Sequence, residues 1–121
     1  DCQMNASQLI YEKLSALVNN QCYPLFIPEH NPNNPPYIIY QIISTEPDNT
    51  LDGMTGHEWA NVQIDVYHND YDDCLSLAAK AINQLDQIKP SIYHGVQYMR
   101  DNESGLFIAI IEYGFWQTLE F

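Results

Sequence analysis

The stretch WANVQIDVYHNDYDDCLSLAAKAINQL (residues 59–85) decides the fold. In its first half Ala60, Val62, Ile64 and Val66 alternate with Asn61, Gln63, Asp65 and Tyr67. A period of two marks a strand with one face buried and the other in contact with water. His68-Asn69-Asp70 breaks the alternation, and from Tyr71 onward Leu75, Ala78, Ala79, Ile82 and Leu85 recur at helical spacing. Asn69 or Asp70 can cap this helix, while Asp72 and Asp73 place negative charge at the positive end of its dipole. One strand thus feeds one amphipathic helix, and both need the same core.

Upstream, Asn5 followed by Gln8 has the form of a capping box, and Ile10, Leu14, Leu17 and Val18 share one helical face. A first helix is expected over 6–19, ended by Asn19-Asn20; Met4 reads as the natural start, with Asp1 to Gln3 an added remnant and residues 1–4 unordered. Tyr23 to Pro36 holds Pro24, Pro28, Pro32, Pro35 and Pro36. Proline removes a backbone donor, so the segment reads as an extended surface connector, with Leu25, Phe26 and Ile27 turned inward. YIIYQIIS (37–44) is apolar on both faces and suits a strand buried on both sides. Thr45 to His57 is polar, with Leu51 and Met54 embedded in it, and reads as a long loop. The two apolar residues could anchor on their own domain or on a partner.

Downstream, Ile88 to Pro90 stops the second helix, expected over 71–87. Tyr93 to Arg100 reads as a strand, Asp101-Asn102-Glu103-Ser104-Gly105 as a turn, and the aromatic and aliphatic run after it as a last strand. Its length predicts a bulge or bend near Gly114. Strands are expected near 37–44, 58–68, 93–100 and 105–118. The resulting single domain over 1–121 is α+β: a four-stranded, mainly antiparallel sheet with two helices packed on one face. Val62, Ile64, Leu75, Ile82, Ile108 and Ile110 are its expected core.

Sixteen acids face four Lys plus Arg, for a formal charge of −12. Such a surface repels nucleic-acid phosphates and anionic membranes, whose binding relies on clustered Lys and Arg. No apolar run approaches the roughly 18 residues that cross a bilayer. Cys2, Cys22 and Cys74 form no framework or zinc-ribbon pattern and fit a reducing cytoplasm. Cys74, in the first turn of its helix, sits where a dipole can lower a thiol pKa, but no base accompanies it.

Catalytic motifs are equally scarce. His57 and His68 lie at opposite ends of one strand, roughly 33 Å apart, so with Glu58 they cannot share an ion. His68 with Asp70 or Asp72 is closer, although these acids already serve the helix start. Asp65 and Glu112 could form a carboxylate pair on adjacent strands, yet no spacing requires it. No metal or cofactor is expected, and nothing reads as an enzyme.

The segments PYIIYQIIS (36–44), TLDG (50–53), VQIDVY (62–67), an Ala- and Leu-rich helix and GLFIAIIEYGFW (105–116) occur in this order. In this the chain resembles the tail completion proteins of tailed bacteriophages and prophages, relatives of tail terminators and tail-to-head joining proteins, over most of residues 9–118. The Asn31 to Pro36 stretch departs from that pattern. The resemblance implies a non-enzymatic virion protein assembled in the bacterial cytoplasm into a ring, a hexamer, at the tail's head-proximal end. Its partners would be the tail tube protein and the head connector, with DNA passing through unbound. Leu51, Asp52, Gly53 and Met54 are the candidate interface residues. The charge admits a second expectation, a small acidic DNA mimic that inhibits a nucleic-acid-binding enzyme.

Overall fold

Asn5 opens the first element. Its side chain accepts the Gln8 N–H at 2.9 Å, and the Gln8 side chain accepts the Asn5 N–H at 3.1 Å. The capping box starts helix α1 (Ala6–Leu14), which buries Ala6, Ile10 and Leu14. The computed structural model describes residues 5–25, 34–50 and 53–118, with side chains described except at 48–50, 53–57 and 118. α1 is shorter than the expected 6–19: the chain tightens into a 3-10 turn over Ser15–Val18. Asn19 and Asn20 then enter the left-handed region (φ 52° and 67°), which asparagine tolerates better than most residues.

The expected connector contains a strand. β1 (Cys22–Pro24) lies parallel to β2 (Tyr37–Thr50), pairing Cys22 with Ile38 and Pro24 with Tyr40. Proline is tolerated there because β1 is a sheet edge, where a missing donor leaves no ladder bond broken. Leu25 is 64% exposed rather than turned inward, at φ 66°; Phe26 and Ile27 lie outside the described residues.

The expected loop over Thr45–His57 is a second correction. β2 runs on to Thr50 and β3 (Gly53–His68) begins three residues later, so 45–50 and 53–57 continue one antiparallel hairpin. Pairing is retained through Glu46↔Trp59, Asn49↔Met54 and Thr50↔Gly53, with register shifts between Ile42 and Ser44 and between Pro47 and Asn49. Pro, Asp and Asn disfavour strands locally; cross-strand pairing overrides them here.

β3 passes directly into α2 (Tyr71–Leu85), and Asp70 is the cap, accepting the Asp73 N–H at 3.0 Å. β4 (Ser91–Arg100) and β5 (Phe107–Thr118) form the second hairpin. The strand order β1-β2-β3-β5-β4 gives a five-stranded mixed sheet in place of the expected four strands. Both helices cover one face of it. Ala60, Val62, Ile64 and Val66 point into that layer with exposures of 0–2%.

The helical contribution to the core is shifted from expectation. Cys74, Leu77, Ala78, Ala81 and Leu85 are buried, whereas Leu75 and Ile82 are half-buried and Ala79 is exposed. Small Cys and Ala side chains let the helix sit close to the sheet. β5 presents Ala109, Ile111, Tyr113 and Phe115 to the helices. Ile108 is buried as expected, at 8% exposure, and Ile110 is half-buried, but they pair with Tyr67 and Asp65 on the opposite face and do not join Val62 and Ile64. The bulge expected near Gly114 falls instead on β4, between Tyr93 and Gly95, while β5 pairs with β3 without a break.

Candidate interaction surfaces

Among the described residues, neither helix covers the sheet face away from them, the β4 edge or the distal half of the β2–β3 hairpin.

The open face is built by the odd members of the β3 alternation and their neighbours. Tyr37 stacks on Tyr67 with ring centroids 4.8 Å apart, and Trp59 meets Trp116 edge-on at 5.4 Å. Trp59 Nε1 donates to Asn61 Oδ1 at 3.2 Å, and Asn61 Nδ2 donates to Ser44 Oγ at 3.1 Å. Gly114 makes room for the indole: a Cβ there would lie 2.8 Å from Trp59 Nε1. Asp65 sits among these groups and accepts from Gln63 Nε2 at 3.1 Å. Burial raises its pKa above the ordinary carboxylate value, an effect the Gln63 hydrogen bond partly offsets. The register sets Glu112 opposite Gln63 and Asp65 opposite Ile110; Glu112 is exposed while Asp65 is half-buried. The two carboxylates occupy different surroundings and do not form a matched pair.

β4 forms one sheet edge over ten residues; on the other side β1 covers β2 only from Ile38 to Tyr40. Ile92, Tyr93, Tyr98 and Met99 are 43–52% exposed along β4.

The hairpin arm is covered by neither helix. Ile42 to Pro47 are all exposed, including residues whose register places them on the helix side. Of the expected interface residues, Gly53 and Met54 lie in β3 next to the turn, paired with Thr50 and Asn49. Leu51 and Asp52 lie outside the described residues. Sequence reasoning located this region but took it for a loop. It also missed the β4 edge, although the exposed Ile, Tyr and Met there are legible once that strand is known to be terminal.

Cys22 and Cys74 are free and buried. Burial pushes the Cys22 thiol up to about 12 and raises Cys74 as well, the opposite direction to the lowering expected from its place in the first turn of α2. His68 Nδ1 accepts the Asn69 N–H at 2.9 Å. Among the described residues no three His, Cys, Asp or Glu side chains converge as metal ligands. No helix among them is long and apolar enough to cross a membrane.

No family model matches the chain, and no curated protein does. Among solved structures it is similar to a chain of one described as the virion of a native gene transfer agent particle. The TM-score is 0.60 at 13% identity, over 91% of this chain and 92% of that one. At that identity the likeness shows a shared fold.

Proposed function

We propose that this protein is a non-enzymatic structural component of a tailed phage or phage-derived particle. It forms a ring, six subunits in this reading, at the head-proximal end of the tail, where it ends tube growth and mates with the head connector. The observation that carries the reading is the shared fold with a chain of a gene transfer agent virion, matched over nearly the whole of both chains. The order of the strand motifs, which resembles tail completion proteins, supports it independently. So does the charge of −12: a conduit for DNA needs walls to which phosphates do not adhere.

In this reading the hairpin arm reaches a neighbouring subunit or the tail tube, with Leu51 and Met54 as anchors and Asp52 and Gly53 as further interface residues. A few buried apolar anchors carry most of an interface, each contributing roughly 1–3 kcal/mol. Substituting Leu51 and Met54 by Ser leaves the monomer folded with unchanged thermal unfolding, and it abolishes rings or tail attachment. Electron microscopy of particles complemented with the double variant shows separate heads and tails. Normal joining would refute the role of the arm. Absence of the protein from purified virions, together with stoichiometric binding to a nuclease or repressor, would replace the reading with the acidic DNA mimic.

A further inference from the structure

The chain separates its charges along the sheet. Gln87 to Arg100, which includes all of β4, contains no Asp or Glu and holds Lys89 and Arg100, two of the four Lys plus Arg residues. The hairpin arm is the reverse: from Thr45 to Glu58 it carries Glu46, Asp48, Asp52 and Glu58 and no Lys or Arg. Asp86 precedes this window and Asp101 and Glu103 follow it, so the acids lie at its ends and β4 itself, an edge strand, carries none.

Its backbone is open as well. The Ile38 N–H donates to the Gln21 carbonyl and the Tyr40 carbonyl accepts from Leu25, so these β2 peptide groups point away from β3. Peptide direction alternates along a strand and carries across a continuous register. Ile38 pairs with Val66, Val66 with Ala109 and Ala109 with Tyr98; a parallel chain of pairs ends at Val96. The Val96 and Tyr98 peptide groups therefore point out of the sheet at its edge. Proteins usually blunt such an edge with proline, inward charges or a short strand. β1 has Pro24 and only three residues. β4 has a bulge between Tyr93 and Gly95, but from Val96 to Arg100 it pairs regularly and holds no proline; Lys89 is turned to Asp86 at 3.4 Å, and Arg100 reaches Asn102 at 3.5 Å.

We infer that the β4 edge is a strand-addition site whose occupant is the acidic hairpin arm of a second copy of this chain. Main-chain bonds to Val96 and Tyr98 give the contact its strength, and Arg100 facing Glu46 and Asp48 gives it direction. Edge and arm are different surfaces, so the contact is head-to-tail, the kind that closes into a ring when the rotation permits. A symmetric β4–β4 pairing would bring the basic ends of the two strands together, and charge disfavours it. The inference rests on the ring reading and says where on the neighbour each arm lands.

The test is a charge exchange on the full chain, followed by sedimentation and by hydrogen exchange. Arg100→Glu, and separately Glu46→Lys with Asp48→Lys, are expected to weaken self-association by at least about tenfold. Arg100 and Glu46 are exposed, and the circular dichroism of each variant is expected to match that of the native chain. The chain carrying all three substitutions recovers self-association, and amides Val96 and Tyr98 exchange more slowly in the oligomer than in the monomer. A wild-type chain that does not self-associate, unchanged exchange at those amides, or no recovery on charge exchange would each overturn the inference. Head-to-tail joining by the Arg100→Glu protein separates the two levels. If particles need the protein yet join normally with this variant, the ring reading stands and the seam is elsewhere.

Discussion

Gly114→Ala is the most informative single change in the sheet. The new methyl would sit 2.8 Å from Trp59 Nε1, 2.9 Å from Cζ2 and 3.0 Å from Cε2, closer than real Cβ contacts allow. The indole cannot swing away freely, because it is hydrogen-bonded to Asn61 at 3.2 Å and packed edge-on against Trp116. Overpacking of this kind costs about 1–3 kcal/mol. Removing a glycine from a strand returns roughly 0.5–1 kcal/mol through the unfolded state. The net expectation is a loss of about 1–2 kcal/mol, a fall in Tm of roughly 3–10 °C for a chain of this size. Thermal and urea unfolding measure the loss, and near-ultraviolet circular dichroism follows the Trp59–Trp116 pair. Trp59→Leu removes all three clashing atoms, so in that background Gly114→Ala becomes neutral or mildly stabilising. An equal loss in both backgrounds, or no loss in the native one, would refute the reasoning.

Other perturbations test other parts of the structure. Gln117→Leu deprives the buried Ala6 N–H of its 2.8 Å acceptor and should lower stability by about 1–3 kcal/mol, read as a lower urea midpoint at unchanged m. Asp70→Ala removes the α2 cap and should cost about 1 kcal/mol. Burial raises the Asp65 pKa, so the folded state holds this proton to higher pH than the unfolded chain does. Ionised Asp65 therefore destabilises at neutral pH: Asp65→Asn is the more stable protein at pH 7, and its advantage shrinks as pH falls through the raised folded value. With Cys22 pushed up to about 12 and Cys74 also raised, mass spectrometry after iodoacetamide at pH 8 finds both unmodified in native protein and modified in urea.

How much of this was legible in the sequence depends on what each segment encodes by itself. β3 and the α2 cap were readable because alternation and capping are local, and burial of Val62 and Ile64 followed from the pattern. β5 was readable as a strand but not in its parity. Phe107 to Ile111 is apolar at every position, and only pairing with β3 assigns Ile111 to the helices and Ile110 to the open face. β1 is three residues ending in proline, a signal no local rule detects. The hairpin arm was misread because Pro47, Asp48 and Asn49 favour turns, and its strand character exists only in partnership with 53–58. The segment expected as an interface loop is a strand pair. The β4 edge required knowing the strand order, which is a property of the whole sheet.

That strand order also governs how the chain reaches its native state. β2 meets β3, and β4 meets β5, across short connections, so each hairpin can form early and by itself. The central pair, β3 with β5, is different: its nearest residues, His68 and Phe107, are separated by α2 and β4, and their pairing must wait for a long loop to close. During that wait VQIDVY and FIAIIEY, the most strand-prone segments of the chain, each offer a bare edge. Closure within one chain then races against encounter between two. Refolding from urea should therefore lose yield as chain concentration rises, even where the finished protein is stable.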